Sequence, residues 1–433
     1  MLETYHFYVP LAIMSNIVSK LYEKPHYDDL GIVKREYIHC TPYTNSTFTA
    51  NSVIKIPGSF ESFLVCPHES YVCISGKITG IREGATREMV IADNGLAHLF
   101  DSISLYLNQK KIDSTRNLGI TSTMIGFGLL TQYDESSSSG FVDPHDLFAG
   151  NNEDFVISYP LKYLLGFANT YRLPIVASDL TLELVRSRTT DKVFFIRNKA
   201  KPDDRPAQGA QPRPDPTREG LTFEVTGVSW YIPRIFLNET HKLALLKRIN
   251  TDSPIVLPFR TFSHFDLKIP QNQRKLSWNI ASLPAVDTPR WALVALQTSS
   301  ENSNSSKFNV CNLTTMQMFV NNQAFPPHRF QTIWGDRAYL EYYTAFKHFR
   351  SEYYESGYDS IAPHLSFGEW VNSPVYVIAI ANDQGEVADR GSSNLTLEIE
   401  ASENFANNTT IHVVLIQDRI VEYKPISKVV YAQ

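Results

Sequence analysis

Apolar and polar residues alternate along LTLELVRS (Leu180–Ser187) and again along LTLEIEAS (Leu395–Ser402), 215 positions downstream. A period of two puts Leu180, Leu182 and Leu184 on one face of a strand, and Leu395, Leu397 and Ile399 on one face of another. Any two amphipathic strands look alike, so other matches at the same spacing decide whether the chain repeats. ISLYLNQKKI (Ile103–Ile112) and MQMFVNNQAF (Met316–Phe325) are alternating strands that run into an Asn-Gln or Asn-Asn turn, with Asn108 and Asn321 213 positions apart. GFAN (Gly166–Asn169) and AIAN (Ala379–Asn382) are also 213 apart. Three matches in one order, at nearly one offset close to half the chain length, predict two copies of a whole fold, since solenoid repeats have periods of only about 20 to 50 residues.

Each half also carries a candidate helix between the second and third matches. In the C-terminal half it is DRAYLEYYTAFKHF (Asp336–Phe349), with Asp336 as cap and Tyr339, Tyr343 and Phe346 at helical spacing. In the N-terminal half TSTMIGFGLL (Thr121–Leu130) is weaker, because Gly126 and Gly128 lower helix propensity. Around these, NSVIKIPGSF, SYVCISGKITG and FEVTGVSWYIPRI supply strands in the first half. IVLPFRTFSHFDLKI, RWALVALQT, SPVYVIAI and TTIHVVLIQDRIVEY do so in the second. Several short strands per half, separated by turn residues, predict a sandwich or jelly roll.

The strongest composition break, the Pro-rich Lys199–Gly220, looks like an interdomain linker. The repeat places it elsewhere. LTLEIEAS is followed almost at once by the closing strand TTIHVVLIQDRIVEY, whereas FEVTGVSWYIPRI follows LTLELVRS only after the Pro-rich stretch. The stretch 199–220 is therefore an inserted loop in a first domain spanning 51–237, after an N-terminal arm over 1–50. ETHKLALLKRIN begins a connecting helix and linker over 238–254, and a second domain spans 255–433.

Composition narrows the function classes. Aromatics make up 12% of the chain, which suits strands. A net charge of −5, without a long like-charge block, lacks the basic footprint of a nucleic-acid binder, so no sequence-specific nucleic-acid binding is expected. Cys40, Cys66, Cys73 and Cys311 are too few and too irregular for a disulfide framework and are expected to be reduced. The run Val9–Met14 is short for a signal-peptide core and nothing reads as a membrane span, so a non-secretory compartment is expected. The sequons at Asn45, Asn238, Asn304, Asn312, Asn394, Asn407 and Asn408 are then chance matches.

Phosphate-loop, HExxH and GxSxG motifs are absent from the sequence. His264-Phe-Asp266 on a strand, with a distant His348 or His412, is the spacing of a metal-dependent jelly-roll enzyme of the cupin or oxygenase kind. The plainer reading makes His264 and Asp266 solvent-facing residues that alternate with Phe265 and Leu267. Cys66, His68 and Cys73 do not fit zinc spacing. Tyr353, Tyr354 and Tyr358 suggest a glycan-binding sandwich or a subunit contact. Lys110, Lys111 and Arg116 form a short basic cluster typical of a solvated loop. No residue is assigned a catalytic, cofactor-binding or metal-binding role, and no cofactor is expected.

The order IPGSFESFLV (Ile56–Val65), LAHLFDSISLYLNQKKI (Leu96–Ile112), a helix-bearing excursion and LTLELVRS resembles the first half of a known family. It is that of the double jelly-roll major capsid proteins of Polinton (Maverick) elements, adintoviruses and related double-stranded DNA viruses. FNVCNLTTMQMFVNNQAFPP, DRAYLEYYTAF, VYVIAIAN, LTLEIEAS and TTIHVVLIQDRIVEY resemble its second half. The likeness runs from about Ser52 onward and rests on an ordered set of short motifs; the first fifty residues and the loop 199–220 depart from it. It implies an all-β chain of two tandem eight-stranded jelly rolls with short helices in the excursions. It further implies a non-enzymatic shell protein of the virion. Homotrimers of pseudo-hexameric outline would meet each other, and penton and minor capsid proteins, in an icosahedral capsid assembled inside the host cell.

Overall fold

The computed structural model describes residues 31–43, 48–79, 87–131, 154–198, 222–283, 288–299, 304–331, 339–354, 365–380 and 393–432. The loop 199–220, Asp336, Tyr358 and all but the end of the arm expected over 1–50 lie outside these residues.

The first half contributes β1 (Ile32–Cys40), β2 (Val53–Val65), β3 (Tyr71–Thr79), β4 (Arg87–Ile91), β5 (Phe100–Leu107), β6 (Lys110–Arg116), β7 (Asp154–Pro160), β8 (Ile175–Arg186), β9 (Phe194–Asn198) and β10 (Thr222–Leu237). One layer runs β1-β10-β3-β7 and the other β2-β8-β5-β6, all antiparallel, with a short β10–β2 pairing at Ile235 and Leu64 joining them. The strands β4 and β9 form a separate ribbon. The second half contributes β11 (Ile255–Lys268), β12 (Lys275–Leu283), β13 (Thr288–Thr298), β14 (Leu313–Val320), β15 (Gln323–Gln331), β16 (Tyr376–Ala379), β17 (Ser393–Ala401), β18 (Thr409–Tyr423) and β19 (Val430–Ala432). Its layers are β11-β18-β13-β16 and β12-β17-β14-β15, with β19 added beside β18. With the β4–β9 ribbon and the added β19 set aside, the first strand of each half lies beside the last and the second beside the last but one, which is the jelly-roll order.

The repeated octapeptides are equivalent strands. Leu180, Leu182 and Leu184 on β8 are buried in the first core, and Leu395, Leu397 and Ile399 on β17 in the second. The β5–β6 and β14–β15 turns each have two residues at positive φ, Asn108 (47°) and Gln109 (69°) in the first and Asn321 (46°) and Asn322 (70°) in the second. That pair of left-handed residues makes the tight hairpin turn whose twist matches its strands, and Asn tolerates it best among side-chain-bearing residues. The third match does not superpose. GFAN lies in a short helix, Gly166–Thr170, beyond β7, whereas AIAN starts on the last residue of β16 and Ala381 and Asn382 lie outside the described residues.

The segment assigned to an N-terminal arm is corrected at its end: β1 pairs with β10 along its length and closes the first jelly roll. As an edge strand it presents mostly charged and half-exposed residues, so its alternation is faint. The α-helices among the described residues lie in the excursions and in the connection. The first, α1 (Leu118–Leu129), begins earlier than predicted and is buried throughout. Next, α2 is the Gly166–Thr170 helix. The third, α3 (Glu239–Ile249), joins the halves and is capped by Asn238, whose Oδ1 accepts the His241 N–H at 2.9 Å. In the second half α4 (Tyr339–Tyr353) buries Tyr342, Phe346, Phe349 and Tyr353, a stripe shifted from the predicted Tyr339, Tyr343 and Phe346.

Candidate functional site at the seam between the jelly rolls

The two halves exchange parts of their cores. From the first half, Ile120, Met124, Ile125, Phe127 and Leu129 of α1 belong to the hydrophobic cluster of the second. From the second half, Leu257 and Phe259 of β11 and Val421 and Tyr423 of β18 belong to the cluster of the first. Helix α1 lies between sheets, which explains why it is buried all round, Thr121, Ser122 and Thr123 included, and tolerates glycines. A Cβ on Gly128 would stand 2.8 Å from the Phe349 ring of α4, and one on Gly119 would overlap the His98 ring at 2.2 Å.

Polar groups pin the same seam. Buried Asp113 on β6 accepts from Thr261 Oγ1 of β11 at 2.5 Å, from the Phe167 N–H at 2.8 Å and from the Ser114 N–H at 2.9 Å. Burial raises its carboxyl pKa, and those hydrogen bonds pull the other way. Tyr423 Oη accepts the Val176 N–H at 3.2 Å and donates to the Val176 carbonyl at 2.8 Å, so the last long strand is bonded to β8 of the other half. Arg260 lies between the Trp291 and Tyr353 rings, 4.8 and 4.7 Å from their centroids, and pairs with Asp418 at 3.4 Å. Arg260, Tyr353 and Asp418 border a cleft of about 390 Å³ that also includes Thr170, Arg172 and Arg419.

His264 and His412 meet here. His264 Nε2 is 3.2 Å from His412 Nδ1, and Asp266, more than half exposed, is 3.8 Å from His264 Nδ1. His412 Nε2 is buried with no hydrogen-bond partner among the described residues. Burial pushes His264 down to about 4 and His412 to about 3, and Lys192 adds to both shifts; His98, buried 3.4 Å from Ser306 Oγ, is likewise pushed down to about 3. All three are neutral imidazoles near pH 7.

The described residues lend the metal reading no support. His264 and His412 turn one nitrogen of each ring toward the other, and His348 lines a groove on α4 with Leu340 and Thr344. Among the described residues no three His, Cys, Asp or Glu side chains are placed to hold a metal ion. His68 bonds the Ala168 carbonyl at 2.7 Å while Cys66 is buried, and the four cysteines are free. The exposed-tyrosine reading is also corrected: Tyr353 is buried against Trp291, Phe349 and Tyr354. The basic cluster has a local role, since Lys110 Nζ donates to the Val430 carbonyl at 3.0 Å. Asp113 and Tyr423 carried no sequence signal, because their partners are 148 and 247 positions away.

A model of the double jelly roll-like domain matches residues 89–421. The chain belongs to that family. No curated protein matches the sequence. Among solved structures, this double jelly roll is similar to PBCV-1 VP54 fitted into a reconstruction of the virophage Sputnik. That match has 12% identity and a TM-score of 0.57, and covers 94% of this chain and 98% of the other. The Faustovirus major capsid protein matches at 10% identity and a TM-score of 0.54, covering 92% of each chain. The mavirus major capsid protein matches at 10% and 0.50, covering 100% of this chain and 96% of its own. At such identities the likeness is one of fold. The double jelly roll accounts for the buried histidines without chemistry, as neutral residues caught where one jelly roll closes over the other.

Proposed function

We propose that this chain is the major subunit of a viral capsid, assembling as homotrimers that tile an icosahedral shell around double-stranded DNA. The observation that carries this reading is the duplication itself. Two jelly rolls of one strand order are fused by a shared core, and the whole chain matches solved capsid proteins along nearly its full length. A trimer of a two-copy chain presents six similar blocks and tiles a hexagonal net, while two unlike halves leave room for different outer loops. The role is structural, without catalytic turnover, and its place is the virion. The domain limits we assign are 51–237, extended to include β1, and 255–433, with 238–254 as the connection. Penton and minor capsid proteins are further partners of such a shell.

The finer placement, in the Polinton (Maverick) and adintovirus lineage, is supported by the ordered motifs from IPGSFESFLV to TTIHVVLIQDRIVEY. It is tested by sequencing the element that carries the gene. Light scattering with negative-stain imaging of purified full-length protein tests the capsid reading. Particles of three chains with hexagonal outline, or closed shells, are expected; monomers at all concentrations would overturn it.

A further inference from the structure

The middle of the outer face of the β11-β18-β13-β16 layer is covered within the chain, while Val256 and Ile420 toward its end stay exposed. Trp291, Leu293, Val414 and Ile416 on it are buried, and α1 and α4 lie over them, with Gly128 and Phe349 at the contact. The matching outer face of β1-β10-β3-β7 has no such cover among the described residues. There His39, Tyr231, Tyr71 and Pro160 are register neighbours in one row across four strands. The rings of His39 and Tyr231 stack at 4.7 Å and those of Tyr231 and Tyr71 at 4.9 Å, with Tyr37, 55% exposed, tilted against Tyr71. Val156 on β7 is 68% exposed. An aromatic patch with few charges at its centre has the composition of an interface core.

The chain's own duplication names the occupant. Inside the chain, the excursion between β6 and β7 of the first jelly roll, carrying α1, covers this face of the second. A closed ring of similar blocks repeats one rotation at every contact. At the contact between chains, the corresponding excursion of the second jelly roll, carrying α4, then covers this face of the first. Helix α4 offers Leu340, 56% exposed, beside Thr344 and Ala345 in a groove of about 440 Å³ against β16. We propose that the Tyr37–Tyr71–Tyr231 face of one chain is the seat for the α4 side of the second jelly roll of a neighbouring copy. The inference rests on the trimer reading and specifies its contact.

The test uses full-length protein. Val156→Glu and Leu340→Glu place a charge on opposite sides of the contact, at positions exposed in the single chain, so each is expected to reduce trimer formation by about tenfold or more with unchanged circular dichroism. In the wild type, Cys73, half-buried on the same face of β3, is expected to be protected from N-ethylmaleimide in trimers and to react in Val156→Glu monomers, read by peptide mass spectrometry. Wild-type protein diluted to its own monomers supplies the same comparison where a variant fails to fold. Trimers in which Cys73 reacts as fast as in monomers would overturn the seat and leave the trimer standing. Disruption by Val156→Glu but not by Leu340→Glu would mean that another segment or protein occupies the face. A wild type that is monomeric throughout would remove the trimer reading and this contact with it.

Discussion

Leu180 on β8 and Leu395 on β17 hold the same place in their two jelly rolls. Each is paired with the last residue before the positive-φ turn, Leu107 in the first and Val320 in the second. The equivalence extends to a hydrogen bond. Asn108 Oδ1 accepts the Asp179 N–H at 3.0 Å, and Asn321 Oδ1 accepts the Asn394 N–H at 2.8 Å. Both leucines are fully buried, so Leu180→Ala and Leu395→Ala are each expected to cost about 2–5 kcal/mol. Chemical denaturation checks this, and a loss below about 1 kcal/mol at either site would contradict equivalent core positions.

The turns separate two roles of one side chain. Asn108→Gly keeps the left-handed backbone and loses the bond to Asp179, whereas Asn108→Ala loses both. Alanine is expected to be the worse substitution by about 1–2 kcal/mol, and the same ranking is expected at Asn321. Equal losses for Gly and Ala in thermal melts would show that backbone conformation contributes nothing.

Tyr423→Phe removes the hydroxyl that serves both backbone groups of Val176 and leaves a buried donor and acceptor unmade, a cost of about 1–3 kcal/mol. Because the bond joins the two halves, hydrogen exchange should quicken at Val176 and its neighbours. Unchanged protection there would place the strength of the seam elsewhere.

Gly128→Ala drives a methyl group into the Phe349 ring and is expected to destabilise by about 1–3 kcal/mol. Phe349→Leu in the same chain should recover part of that loss, since the two changes share one contact. Strictly additive losses in the double-mutant cycle would mean that the helices do not meet there.

Acid should loosen the seam. His98, His264 and His412 are held neutral, with folded values of about 3, 4 and 3 against an ordinary value near 6.5. Lowered folded values mean that the unfolded chain takes up protons first. Stability is therefore present above pH 6.5 and falls as pH drops toward 4, by up to about 1.4 kcal/mol per pH unit for each histidine. Asp113, whose pKa is raised, works in the opposite sense, losing stability as pH rises through its range. Denaturation midpoints of wild type and His412→Asn between pH 7 and 4.5 test this. The variant is expected to have the shallower slope, and identical slopes would remove His412 from the effect.

Local chemistry was legible where local forces act. Alternation located β8 and β17, Asn108 and Asn321 located the β5–β6 and β14–β15 turns, and Asn238 before ETHKLALLKRI located α3, because period-two burial, left-handed backbone and helix capping are all settled within a few residues. Comparing these signals at one offset revealed the duplication; the Pro-rich stretch, between β9 and β10 along the chain, lies outside the described residues. Edge strands such as β1 escaped notice, since a strand with one open side needs little apolar patterning. Glycine-bearing α1 looked poor as a helix because propensity weighs its own backbone and takes no account of the Phe349 ring that needs the space.

The seam belongs to the other category. That Asp113 meets Thr261, that Tyr423 reaches Val176, and that His264 and His412 face each other depend on residues about 150 to 250 positions apart being brought together. Tyr353 and Tyr37 illustrate the division most simply. Both are tyrosines in polar, aromatic stretches, yet one is buried against Trp291 and the other stands open on an outer sheet. Their own neighbours in the chain do not set that difference; it follows from which face of a finished sheet another part of the protein covers.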